Sequence, residues 1–214
     1  MSADPVNLWS NAAHARDYLE RRRDIPHRDE GYDALLELVP PVVERVLDLG
    51  TGDGYLMSIV REVFPQVTGV AIDFSAEMLD RARERFAAVP EVEVVEHDFD
   101  EPLPDVGTFD AVVSAFAIHH VVDARKRALY GEVYERLAPN GVFLNLEHVD
   151  SPTPELHTAF LDAIGYGEIG DDPSNKLVAV ETQLAWLRDI GFAHVDCQWK
   201  WRELALLAGV KPGG

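Results

Sequence analysis

The run Val46-Leu47-Asp48-Leu49-Gly50-Thr51-Gly52-Asp53-Gly54 restricts the fold of this chain more than any other segment. A short apolar run bounded by turn residues marks a buried strand, and glycines at alternate positions let the backbone turn sharply and approach a ligand without a Cβ in the way. A dinucleotide fingerprint would need its third glycine at position 55, which is tyrosine. A pyrophosphate on the following helix N-terminus would also face Asp48 and Asp53, whose charges repel it. The turn suits a cationic nucleoside better.

Strands and helices alternate after this point. The patterns predict strands at 45–49, 68–72, 92–96, 111–116 and 141–147, with helices at 55–63, 75–87 and 125–137 between them. Such alternation implies a parallel sheet covered on both faces, with ligands at the carboxyl ends of the strands. Residues 8–39 read as helical: Leu8, Trp9, Ala12, Ala15, Tyr18 and Leu19 form a stripe before Leu35, Leu36, Leu38 and Val39, and Pro40-Pro41 ends the segment. Beyond residue 150 the expected order is a helix at 154–164, an acidic loop at 168–175, a helix at 181–190, and a hairpin of 193–201 with 203–209. Val195, Cys197, Trp199 and Trp201 alternate with polar residues, the period of a strand buried on one face.

At 214 residues the chain fits one domain. The formal net charge of −19 disfavours nucleic acid as a partner, since such a field repels a phosphate backbone. One cysteine, Cys197, excludes an intrachain disulfide and a cysteine metal cluster. The first ten residues lack a basic and apolar leader pattern, and no apolar run approaches about 18 residues, so the expected setting is cytoplasmic with no membrane.

Asp48, Gly50, Gly52 and Gly54, followed by Val70-Ala71-Ile72-Asp73-Phe74-Ser75 with Met78-Leu79, His97-Asp98-Phe99, Phe109-Asp110-Ala111-Val112-Val113 and Leu137-Ala138-Pro139-Asn140-Gly141, form an ordered set over roughly residues 32 to 209. In that order the chain resembles the class I S-adenosylmethionine-dependent methyltransferases. The resemblance implies an α/β fold: a single doubly wound, mostly parallel seven-stranded sheet with an antiparallel C-terminal strand. Residues 1–40 are then an N-terminal helical cap, and 41–214 the cofactor-binding domain with an acceptor-side insertion at about 150–180. It also implies S-adenosylmethionine as cofactor. Asp73, 19 positions after Gly54, would accept from both ribose hydroxyls. Phe74 and Met78 would border the adenine, and Asp98 and Phe99 would meet its amine and ring face; read alone, Asp98 is equally a turn residue. Asp48, Thr51, the glycines, the backbone of Ser114 and Ala115, and His120 complete the implied cofactor set.

His119-His120 follow the fourth strand and Glu147-His148 end the fifth, so neighbouring strands deliver polar residues to the carboxyl edge. Histidine near its reference pKa suits a general base, and His119 and His148 are the catalytic candidates. These side chains are of metal-ligating types but have no spacing that enforces a metal geometry, so no metal is expected. The basic run Arg21-Arg22-Arg23-Asp24-Ile25-Pro26-His27-Arg28 offers guanidinium forks for a carboxylate. Arg23 and Arg28, with the aromatic residues Tyr18 and Tyr166, are the candidate substrate-binding residues. A small-molecule acceptor and a possible homodimer are the expected partners. Two other readings stand beside this one: a tRNA-modifying or carboxylated-cofactor enzyme of the same fold, and a non-catalytic cofactor-binding subunit.

Overall fold

The computed structural model describes residues 25–213. In chain order the elements are α1 (Arg28–Leu38), β1 (Arg45–Leu49), α2 (Tyr55–Val63), β2 (Thr68–Asp73), α3 (Ala76–Arg85), β3 (Val92–Glu96), β4 (Phe109–Ala115), a 3₁₀ turn (Ile118–His120), α4 (Asp123–Arg136), β5 (Leu137–His148), α5 (Pro154–Ala163), α6 (Val180–Ile190), β6 (Ala193–Trp201) and β7 (Leu204–Val210). The seven strands form one sheet in the order β3-β2-β1-β4-β5-β7-β6. β1 to β5 are parallel, and β7 runs antiparallel to both β5 and β6. Strand order reverses between β1 and β4, so the crevice at their carboxyl ends is where this topology places a ligand.

Both faces of the sheet are buried. Successive side chains on β1 point to opposite sides. Val46 joins Leu35 of α1, Leu56, Met57 and Val60 of α2, and Leu144 of β5 in one core. Leu47 and Leu49 join Leu129, Tyr130 and Val133 of α4 and Leu184 and Leu187 of α6 in the other. Strands covered on both faces read as continuous apolar runs, as β1 and β4 do.

Several expectations shift. The helix expected over 8–39 starts, among the described residues, at Arg28; Ile25-Pro26-His27 form a turn with His27 at φ 62°. Pro26 has no N–H for a helix interior. Residues 8–24, including Tyr18, Arg23 and most of the expected cap, lie outside the described residues. α1 itself packs flat on the sheet, with Tyr32 and Leu35 in the core. β5 starts at Leu137 rather than Gly141, because a register shift after Phe109 lets Leu137 pair with that residue. β4 starts two residues early and ends at Ala115, since Phe116 adopts φ 54°. Ser75 precedes α3 as expected of an N-cap, yet its side chain makes no capping bond; its amide donates to Asp73 Oδ1 at 2.9 Å.

The one-face expectation for β6 is corrected. Val195 and Cys197 pack against the core that contains Leu207, whereas Trp199 packs against the core that contains Leu206. A register irregularity between Cys197 and Trp199 advances β6 by two residues against one on β7, which moves Trp199 to the other face. Trp201 stacks on His27 with ring centroids 4.5 Å apart. Among the described residues no helix is long and apolar enough to cross a membrane.

Candidate functional site

β1 delivers the glycine turn to the switch point. The amides of Gly50 and Thr51 donate to Ile72 O at 2.8 and 2.9 Å, which fastens the turn to β2. Gly50 and Gly52 both hold left-handed backbone, at φ 71° and 56°, yet their surroundings differ. A Cβ at Gly50 would lie 2.1 Å from Ala117 Cβ, while one at Gly52 would meet nothing within 4 Å. Gly50 is thus required by packing as well as conformation. Gly50→Ala is expected to cost about 2–4 kcal/mol of stability, combining overpacking with left-handed strain. That lowers the melting temperature by roughly 5–15 °C. Gly52→Ala, which meets only the strain, should cost about 1–2 kcal/mol. Equal losses for the two in thermal denaturation would remove the steric account of Gly50.

Three carboxylates surround this turn. Asp48 is fully buried; Oδ2 accepts from Thr51 Oγ1 at 2.6 Å, and Oδ1 has no hydrogen-bond partner. Burial, opposed by the Thr51 hydroxyl and the Met57 amide and reinforced by the charges of Asp73 and Asp53, pushes its carboxyl up to about 7. Asp73 at the end of β2 accepts from the Gly52 and Ser75 amides at 2.8 and 2.9 Å, and burial raises its pKa against those bonds. Asp53 pairs with Arg85 at 2.8 Å. A buried carboxylate oxygen of Asp48 without a hydrogen-bond partner, open space over Gly52 and the carboxylate of Asp73 suit a nucleoside that carries a cationic sulfonium. Phe99 and Met78 are buried beside this region, and Phe74 is half-buried. Asp98 is exposed and accepts from the Asp100 amide at 2.9 Å, the turn arrangement its position allowed. Ser114 is buried and donates to Leu49 O at 2.7 Å, joining β4 to β1; Ala115 is half-buried at the end of β4.

The 3₁₀ turn starts immediately after Ala117, the residue that abuts Gly50. It brings His119 against Glu147 of β5, Nδ1 to Oε1 at 2.6 Å, with Glu147 fully buried. Burial holds His119 well below the ordinary histidine range, and the Lys126 ammonium acts in the same direction. Burial also raises Glu147, while the Lys126 ammonium, the His148 amide and Asn145 favour its ionised form. With Glu147 ionised, as the His148 amide and Asn145 donating to it favour, the proton of this pair rests on His119 Nδ1 and Nε2 has the lone pair. The half-buried His120 meets Ser174 Oγ at 3.0 Å; the Ser174 hydroxyl donates to Asp172 Oδ1 at 2.7 Å, so His120 Nδ1–H is the donor of that pair.

His148 uses Nε2 for Glu203 Oε2 at 2.8 Å. Glu203 is 1% exposed and also accepts from His157 Nδ1 at 3.0 Å and from the Ser151 hydroxyl. Burial would raise its pKa, but these three donors outweigh burial and hold it down.

His119, His120 and His148 line one cavity of about 300 Å³, together with Arg28, Phe116 and Tyr166. Its remaining walls are largely apolar, with Phe160, Leu161, Ile164 and Ile169 from α5 and the segment after it. The Arg28 guanidinium lies 4.2 Å from the Phe116 ring centroid and 3.2 Å from Tyr32 Oη. Of the expected acceptor-side residues, then, the fold gathers His119, His148, Arg28 and Tyr166, and places His120 on the same wall. Glu203, which the sequence reading missed, sits in the β6–β7 turn, where nothing in the local pattern distinguishes it from a solvated hairpin residue. Glu147 carried one signal, its place beside His148 at a strand end.

A methyltransferase-domain family model matches residues 46–141. The chain is 44% identical over 95 residues to an uncharacterised methyltransferase of Mycobacterium tuberculosis, covering 44% of this chain and 47% of that one. It thus spans about half the length of that relative. It is 31% identical over 198 residues to a demethylmenaquinone methyltransferase of Clavibacter sepedonicus, covering 85% of this chain and 79% of that one. The chain belongs to the class I S-adenosylmethionine-dependent methyltransferases. The methyltransferase fold is shared by an O-methyltransferase family protein from Burkholderia thailandensis, with TM-score 0.75, 22% identity, and coverage of 96% of this chain and 62% of that one. S-adenosylmethionine is the cofactor of this methyltransferase family.

Proposed function

We propose that this protein transfers a methyl group to an oxygen of a small hydroxylated molecule held in the cavity, with His119 as general base. One arrangement carries the proposal: a neutral His119, oriented by buried Glu147 at 2.6 Å, on the cavity wall two residues from Ala117, which abuts Gly50 of the cofactor turn. A carboxylate that holds one imidazole nitrogen leaves the other positioned to take a proton, the arrangement by which histidine activates a hydroxyl. S-adenosylmethionine supplies an electrophilic methyl on a cationic sulfur. The chain's part is to align the acceptor, exclude water and receive its proton. Asp73 would hold the ribose, the glycine turn and Asp48 would face the cationic methionine end, and Phe74, Met78, Asp98 and Phe99 would surround the adenine.

The orphaned Oδ1 of Asp48 leads to a pH-dependent expectation. A carboxyl that titrates near 7 without ligand is pulled down by a bound cation, so binding below that pH must release a proton. Cofactor affinity should rise as pH increases from 6 toward 7, approaching tenfold per unit at the acid end, and level off above. Asp48→Asn should flatten the profile. Calorimetry at several pH values measures it, and an affinity that falls with rising pH would contradict the role given to Asp48.

The reaction itself is tested by incubating the protein with labelled S-adenosylmethionine and a panel of phenols, alcohols, amines and carbon acids. Label should pass to oxygen. Transfer only to nitrogen or carbon would sink the oxygen reading.

A further inference from the structure

Two imidazoles, not one, face the cavity with a buried carboxylate behind each. His119 has Nδ1 on Glu147 at 2.6 Å, and His148 has Nε2 on Glu203 at 2.8 Å. Their ring centroids are 5.6 Å apart in an edge-to-face arrangement, and both line the same wall. With both carboxylates ionised and both rings neutral, each carboxylate only accepts, so the facing ring nitrogen carries the proton and the opposite nitrogens, Nε2 of His119 and Nδ1 of His148, are the acceptors. Glu203 is held by three donors from separate segments, His148 on β5, Ser151 after it and His157 on α5, so the orientation of His148 is fixed from several directions. A single hydroxyl needs only one such acceptor.

From this we infer that the acceptor carries two neighbouring hydroxyls on a flat apolar ring, an ortho-dihydroxy aromatic, with His119 and His148 each reading one of them. Oxygens on adjacent ring carbons stand about one hydrogen-bond length apart, about 2.8 Å, which neighbouring imidazoles can bridge with one bond each. Phe116, Phe160, Leu161 and Ile164 provide apolar walls for the ring. The attacked oxygen forms its bond to the methyl carbon as the carbon–sulfur bond breaks, with that electron pair remaining on sulfur. Its proton goes to His119 Nε2 and then to solvent. The second hydroxyl keeps its proton and donates to His148 Nδ1, which makes His148 a specificity-determining residue rather than a second base.

The inference rests on methyl transfer to oxygen, and the test separates the two. Protein loaded with S-adenosylhomocysteine is titrated by calorimetry with 1,2-dihydroxybenzene, 1,3-dihydroxybenzene and phenol, and the same probes are assayed for methylation. The ortho compound should bind at least tenfold more tightly than the other two and show a similar preference in kcat/KM. His148→Asn should collapse the ortho preference to within about twofold of unity, with its fold checked by melting temperature and S-adenosylhomocysteine binding. If that variant does not fold, Glu203→Gln carries the test and should reduce the preference at least threefold. Equal binding of the three probes, no binding of any, or an ortho preference that survives both substitutions overturns the inference. So does a preference that disappears on chelation, since a metal would then be reading the pair. Preferential ortho binding without methylation of any hydroxyl would instead overturn the oxygen-transfer reading and leave the two-imidazole site standing.

Discussion

His119→Asn is expected to lower kcat by about 10²- to 10⁴-fold, the usual contribution of a positioned general base. Cofactor affinity should stay within about twofold of the parent value, because the side chains proposed to hold the cofactor lie on the glycine turn, the end of β2 with α3, and the segment after β3, not on His119. Asn is the informative replacement: its amide can still donate to Glu147, so the buried carboxylate is not left without a donor. Removing that donor altogether, as Ala would, leaves a buried charge unpaired and costs several kcal/mol of stability, which would confuse the reading. In the parent protein, burial keeps His119 neutral well below the ordinary histidine range. Protonation abolishes a base, and the group protonates only at low pH, so kcat/KM should hold through neutrality and fall with an inflection below 6.5. Single-turnover rates with calorimetric cofactor constants check both parts. A variant within a few fold of the parent in kcat would remove His119 from the base role.

Asp73→Ala should weaken cofactor binding by roughly 100- to 10,000-fold. Two hydrogen bonds from ribose hydroxyls to an ionised carboxylate are worth about 1.5–3 kcal/mol each. The same carboxylate accepts the amides of Gly52 and Ser75, so its loss also loosens the turn that the cofactor rests on. Asp73→Asn keeps one carbonyl oxygen and should lose less, about tenfold to 100-fold. Equilibrium binding of S-adenosylmethionine and S-adenosylhomocysteine measures the series, and the two ligands should lose affinity alike because they share the ribose. A loss confined to S-adenosylmethionine would mean that Asp73 acts on the cationic sulfur and not on the sugar.

Local pattern carried the parallel part of the fold. β1 and β2 follow their apolar runs, and β3 lies where alternation and flanking turns placed it, because burial of strands in a doubly covered sheet leaves a continuous apolar signature. The boundaries that moved did so for tertiary reasons. Leu137 joined β5 through a register shift against Phe109, and Trp199 crossed to the opposite face of β6 through an irregularity that only the partner strand β7 reveals. A period of two read along one strand cannot register an extra residue relative to its neighbour.

The cofactor side was legible because a glycine turn, a following acidic residue at the end of β2 and the crossover order are all written within short stretches of chain. The acceptor side was legible only as a set of polar residues at strand ends. That His119 belongs to Glu147 and His148 to Glu203 depends on pairs 28 and 55 residues apart.

By itself the sequence determined the sheet, its switch point and the chemistry of the first turn, since these follow from backbone conformation and the alternation of apolar runs. The three-dimensional packing alone decided which nitrogen of each histidine is committed, which carboxylate stands behind it and that Arg28 and Tyr166 share a wall with them. Hydrogen-bond direction and desolvation arise from neighbours brought together across the fold, and no spacing along the chain encodes them.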